Sequence, residues 1–96
     1  DAAHELGRDP EVGLILVIGG RASANTRHLW EICQRHKPSH LIQGAADLEP
    51  AWFAGVETVG LTAGASTPDY VVDEVERAVR EMTPAAPVLA SEAVTR

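Results

Sequence analysis

Two short stretches carry the side chains with the most evident chemistry: Gly19-Gly20-Arg21-Ala22-Ser23-Ala24-Asn25 and Thr62-Ala63-Gly64-Ala65-Ser66. In the first, Ser23 and Asn25 offer a hydroxyl and a carboxamide, and the paired glycines permit sharp turning and close backbone approach to a ligand. The second has the same ingredients: a glycine, small residues, then Ser66. Each stretch precedes a helix-forming segment, so backbone N–H groups that the helix leaves unused converge there with the positive end of its dipole. That combination takes anions, phosphate groups above all. The same side chains also serve as helix caps and turn formers, and spacing alone does not separate these compatible roles. Neither stretch fits a P-loop, since no Gly-Lys-Ser/Thr follows, and neither fits G-x-G-x-x-G.

Positioning these loops takes strands that end at the glycines and helices that begin beyond the serines. Residues 14–18, Leu-Ile-Leu-Val-Ile, form a β-rich apolar run ending at Gly19-Gly20. A second strand is expected over 40–43, after Pro38-Ser39, and a third over 58–61, running into Thr62-Ala63-Gly64. Apolar runs without alternation indicate strands covered on both faces, as in a parallel sheet. A helix over 25–36 places Leu29, Ile32, Cys33 and His36 on one face, and Pro38 limits its extension. A helix over 69–82 aligns Val71, Val72, Val75, Ala78, Val79 and Met82, with Thr67 as its N-cap and Pro68 as its first residue. A short helix over 50–54 stops at Gly55. Residues 83–96 read as an extension of the domain formed by 1–82, either an edge strand or a flexible tail. Right-handed crossovers then give an α/β fold, a small three-layer α/β/α sandwich with a parallel sheet of strand order 2-1-3. In that order strands one and three are neighbours and their following loops flank the topological switch point, where such sheets bind ligands.

Composition bounds the function. The chain has 96 residues, enough for one domain, and a net charge of −6, which argues against a nucleic-acid partner. Backbone amides bind anions locally whatever the overall charge. Cys33 is the one cysteine, so no disulfide forms within the chain, and a cytosolic setting fits. The longest apolar run, 14–18, is too short to cross a membrane, and no signal peptide is visible. The opening Ala-Ala-His-Glu-Leu reads as the end of a helix begun upstream.

Other residues invite functional readings that their positions do not support. Cys33 lies on an apolar helix face, where a thiol packs as a small hydrophobe. His36 and His40 are four apart, but Pro38 interrupts the helix that would align them on a metal. His4 and His28 are expected to face solvent. Trp30, Trp52, Phe53 and Tyr70 read as packing or interdomain residues.

The two stretches also carry a resemblance. Residues 17–29, VIGGRASANTRHL, are similar to the segment V-(V/I)-G-(G/S)-K-N-S-(S/G)-N-(S/T)-x-R-L of the 4-hydroxy-3-methylbut-2-enyl diphosphate reductase family, also called LytB. Residues 59–69, VGLTAGASTPD, resemble that family's VG(V/I)(T/S)AGAS(A/T)P(D/E), and 45–60 resemble the segment between them. The resemblance implies the C-terminal domain of a three-domain, trefoil-like parent built around a 4Fe–4S cluster. The cluster ligands would lie upstream, so this chain would supply no catalytic or metal-binding residue and would be inactive alone. The substrate's diphosphate would be held by Ser23, Ala24, Asn25 and Ser66. The parent would reduce 4-hydroxy-3-methylbut-2-enyl diphosphate to isopentenyl and dimethylallyl diphosphates. Its electrons would come from ferredoxin or flavodoxin, in the bacterial cytoplasm or a plastid. Three residues depart from the pattern: Arg21 replaces lysine, Ala22 replaces asparagine, and Ala24 stands where many members have serine and others glycine. The alternative is a non-catalytic phosphate- or diphosphate-binding module, degenerate or fused elsewhere.

Overall fold

The computed structural model describes residues 10, 12–20, 22–64, 67–83 and 86–89, the last four by backbone alone. The opening helix remnant, His4, Arg21, Ser66 and the tail beyond Leu89 lie outside the described residues. The elements are β1 (Leu14–Ile18), α1 (Ala24–Gln34), β2 (Ser39–Ile42), two 3-10 turns (Ala45–Asp47 and Pro50–Phe53), β3 (Thr58–Ala63), α2 (Asp69–Met82) and β4 (Ala86–Leu89). They build a parallel sheet in the order β2-β1-β3-β4. The expected 2-1-3 order is therefore present, and β4 extends it along β3.

Every residue of β1 is buried, because this strand is central and both its faces are covered. Successive strand side chains point to opposite faces. Ile15 and Val17 accordingly pack with Val12, Ile32 and Cys33 under α1. Leu14, Leu16 and Ile18 join Val59, Leu61, Phe53 and the α2 residues Val72, Val75 and Val79 on the other side. The two helices thus cover opposite faces.

Several boundaries differ from the sequence expectation, each for a local reason. Helix α1 ends at Gln34, two residues early: the amides of His36 and Lys37 both reach back to the Cys33 carbonyl, at 3.0 Å each. Pro38 cannot continue the ladder, and His36 is left exposed beyond the apolar face. Strand β2 begins one residue sooner, at Ser39, and its register against β1 pairs Ile15 with Ser39. Strand β3 runs two residues further, to Ala63, because β1 offers a partner as far as Ile18. The 3-10 turn at Ala45–Asp47 was not visible in the pattern; the Asp47 carboxylate accepts from the Gln43 amide at 2.9 Å and so closes the turn. The short helix at Pro50–Phe53 is a 3-10 turn, ended by Gly55 at φ +75, a left-handed conformation that glycine adopts without steric cost.

The start of α2 departs most from expectation. The helix begins at Asp69, its N-cap is Pro68, and no side chain caps it. Thr67 does not act as a cap; its hydroxyl donates to the Ile18 carbonyl at 3.0 Å, across 49 residues of sequence. The Ile18 carbonyl, which also accepts from the Gly64 amide, takes the Thr67 proton through its second lone pair.

Candidate functional site

The C-terminal ends of β2, β1 and β3 lie level. The Gly19 amide donates to the Ile42 carbonyl at 2.9 Å, and the Gly64 amide donates to the Ile18 carbonyl at 3.0 Å. Both loops therefore leave the sheet side by side, from adjacent strands, toward helices on opposite faces. This is the switch-point arrangement that the strand order led one to expect.

In the first loop, Ser23 bonds its amide to the Gly20 carbonyl at 3.1 Å and becomes the N-cap of α1. Its Oγ accepts from the Thr26 amide at 3.3 Å. An N-cap serine accepts through its oxygen and keeps its own O–H to donate elsewhere. Capping and anion binding are thus both open to Ser23 at the same time. Ala24 and Asn25 follow in the first turn, both exposed, and the Asn25 side chain makes no hydrogen bond to the described residues. No acidic residue sits in this first turn, so the helix dipole is left uncompensated. Ser23, Ala24 and Asn25 are brought together as expected. The position of Ser66 is not described, but its neighbours Gly64 and Thr67 are fixed against β1 by their bonds to the Ile18 carbonyl.

The two helix starts are not equivalent. Asp69 lies in the first turn of α2 and already supplies the negative charge that its dipole favours. The less compensated helix start is that of α1.

The glycines work differently from the flexibility expected of them. Among the described residues the only glycine with positive φ is Gly55, outside both loops. Gly19 is required by close approach instead: a Cβ there would lie 2.6 Å from Thr26 Oγ1 and 2.8 Å from its Cγ2. A Cβ on Gly64 would meet the same Oγ1. Thr26 and the cross-strand role of Thr67 went unnoticed in the sequence. The stripe of Leu29, Ile32 and Cys33, extended back by one turn, reaches Thr26, and that was the available signal.

The LytB protein family model matches residues 1–80. This chain belongs to the LytB family. A 4-hydroxy-3-methylbut-2-enyl diphosphate reductase of Pelobacter propionicus is 51% identical over 83 residues, which cover 85% of this chain and 29% of that protein. The Aquifex aeolicus reductase is 43% identical over 74 residues, 76% of this chain and 26% of that protein. A solved structure of (E)-4-hydroxy-3-methyl-but-2-enyl diphosphate reductase, described as the terminal enzyme of the non-mevalonate pathway, superposes with a TM-score of 0.78 at 40% identity. That match covers 82% of this chain and 28% of the other. The chain thus spans 23–30% of the length of the curated relatives it matches.

Of the other residues in this chain that invite a functional reading, some pack and others face solvent. His28 is exposed, and His40 stacks on Trp52 with ring centroids 3.9 Å apart and planes 6° from parallel. Burial holds the His40 imidazole below its ordinary pKa, opposed by the nearby Glu49 carboxylate. Trp30 donates its indole N–H to the Ser39 carbonyl at 3.0 Å, Phe53 is in the core and Tyr70 is exposed. Among the described residues no group of three His, Cys, Asp or Glu side chains is placed to hold a metal.

Cys33 is fully buried beneath α1, and desolvation pushes its thiol from 9.0 up to about 11. The folded state therefore prefers the neutral thiol, and the unfolded chain loses its proton first as pH rises. Stability should be level up to about pH 9 and decline between pH 9 and 11. Denaturation midpoints at pH 8 and pH 10.5 check this; Cys33→Ala should start lower, by on the order of 1 kcal/mol, and lack the alkaline component assigned to this thiol.

Proposed function

We propose that this chain is the diphosphate-holding domain of a 4-hydroxy-3-methylbut-2-enyl diphosphate reductase, acting as part of a longer protein. One observation carries the reading: Ser23 caps α1 through its oxygen while its hydroxyl proton stays available, above a first turn free of acidic side chains. The exposed amides and the Asn25 carboxamide beside it make a neutral donor cluster for phosphoryl oxygens. The names of the relatives and the resemblance in both loops supply the substrate.

The domain's contribution is positional. Fixing the diphosphate anchors the allylic end of the substrate at a constant distance from the cradle, which lowers the entropic part of the barrier. The reduction itself is assigned to other domains. A 4Fe–4S cluster needs several thiolates, and the one cysteine here is buried with a raised pKa, so the described residues do not fit as its ligands. The resemblance supports ferredoxin or flavodoxin as electron donor, and a bacterial cytoplasm or plastid as the setting.

Asn25→Ala tests the reading. In the full-length reductase it should weaken substrate binding by roughly ten- to hundredfold, since a hydrogen bond to a charged group contributes about 1.5–3 kcal/mol. Melting temperature and cluster content should not change, because Asn25 is exposed and contacts no core residue. Ser66→Ala should behave alike. Unchanged affinity in both variants sinks the assignment of these loops to the substrate.

A further inference from the structure

We infer that the free edge of β2 receives an extended, basic segment of the same polypeptide, from outside these 96 residues, as an added strand. The inference rests on the reading of this chain as part of a longer protein, and not on the diphosphate cradle. β2 is the outer strand of the sheet, at the opposite edge from β4. Toward β1, the carbonyls of Pro38 and Ile42 accept from the Ile15 and Gly19 amides at 3.0 and 2.9 Å. Bonding alternates along a parallel strand, so the backbone groups of Ser39, Leu41 and Gln43 point away from β1.

Side chains of the domain already close two of these outward groups. The Trp30 indole donates to the Ser39 carbonyl at 3.0 Å, and the Asp47 carboxylate accepts from the Gln43 amide at 2.9 Å. Between them the N–H and C=O of Leu41 have no partner among the described residues. A donor and an acceptor left open side by side on a strand edge are what an extended backbone satisfies.

The edge lies at the floor of a concavity of about 600 Å³. Trp30 and Gln34 of α1 stand on one side of it, and Ala46, Asp47, Glu49 and Trp52 on the other. A second copy of this domain would carry its own β2 between the same walls, and two recessed edges do not close to the roughly 4.8 Å of paired strands. A single extended segment does. The charged side chains in the lining are Asp47 and Glu49, both acidic, so the segment places lysine or arginine on that side and apolar residues toward Trp30 and Leu41. This chain covers 29% of the Pelobacter propionicus reductase, so a polypeptide of that length has most of its residues elsewhere to supply such a strand.

The test reads amide hydrogen exchange at Leu41 in the full-length reductase, and cross-linking from a photoreactive benzoylphenylalanine put in place of the exposed Gln34. The Leu41 amide should exchange at least about a hundredfold more slowly than an open amide, and Glu49→Lys should speed it at least about tenfold. Irradiation should join position 34 to a segment of the same molecule outside residues 1–96. Fast exchange at Leu41 overturns the inference, and so does exchange that Glu49→Lys leaves unchanged. Slow exchange with a cross-link that falls within residues 1–96, reaches a second molecule or does not form overturns it too. Substrate titration of Asn25→Ala keeps the two readings apart. An open Leu41 edge with weakened binding in Asn25→Ala leaves the cradle standing without this contact, whereas a covered edge with unchanged binding keeps the contact and removes the cradle.

Discussion

Ser23→Asp should leave the domain folded and abolish diphosphate binding. Aspartate is at least as good an N-cap as serine, so the bond from the Thr26 amide survives and the helix start is as stable as before or slightly more so. What disappears is the hydroxyl proton, and a carboxylate now faces an anionic ligand. Losing a donor to a charged group costs about 1.5–3 kcal/mol, and the like charge adds to it, so affinity should fall by about a hundredfold or more. Ser23→Ala separates the two roles from the other side. It removes cap and donor together, and should lower stability by about 1 kcal/mol while weakening binding less than the aspartate does. Thermal unfolding and substrate titration on the two variants decide the matter: a Ser23→Asp protein that binds diphosphate normally places the ligand elsewhere.

The second large effect is expected at the glycines. Gly19→Ala brings a Cβ to within 2.6 Å of Thr26 Oγ1 and 2.8 Å of Cγ2, inside a buried site with a stiff β-branched side chain. Overpacking of this kind costs about 1–3 kcal/mol, or roughly 4–8 °C in melting temperature per kcal/mol for a domain of this size. Gly64→Ala meets the same oxygen and should cost as much. The partner changes differ in a useful way. With Thr26→Ala, the Gly64 variant is relieved, because its next contact is Thr26 Cβ at 3.5 Å. The Gly19 variant is relieved only in part, since Thr26 Cβ remains at 3.2 Å. Gly20→Ala is the control: nothing lies within 4 Å of its Cβ and its φ is not positive, so stability should hold or rise slightly. Equal losses at all three glycines, without recovery in the double variants, would show that backbone freedom and not contact with Thr26 explains them.

These outcomes also mark where the sequence could and could not be read. The core of the fold was legible because its signals are dense: Leu14–Ile18 is apolar throughout, and Val72, Val75 and Val79 recur at helical spacing. The placement of Ser23, Ala24 and Asn25 at a helix start was legible for the same reason, as a run of small residues between a strand and a helix. The 2-1-3 strand order was the expected arrangement of such a sheet, and crossover handedness then sets the two helices on opposite faces. What escaped were interactions whose partners are far apart along the chain. Thr67 looked like a cap because serine and threonine before a helix usually are; its bond to Ile18 exists only once β3 has aligned with β1. The loop glycines were read as allowing sharp turns and close approach to a ligand, whereas Gly19 and Gly64 are small because Thr26 needs the room. Asp69 drew no reading of its own in the sequence, yet its place in the first turn of α2 makes the two helix starts unequal in charge.

The position of β1 in the sheet has a consequence for how the chain is made. No two neighbouring strands of this sheet are joined by a hairpin; each pairing closes across a helix or a longer segment. On the ribosome β1 and β2 emerge first, and the other edge of β1 stays unpaired until Thr58–Ala63 arrives. That edge belongs to an uncharged, proline-free run, Leu-Ile-Leu-Val-Ile, which is the composition that templates strand addition between chains. A product cut short before Thr58 would carry this edge permanently, which makes premature termination between Gln43 and Glu57 a route to aggregates rather than to a smaller soluble domain.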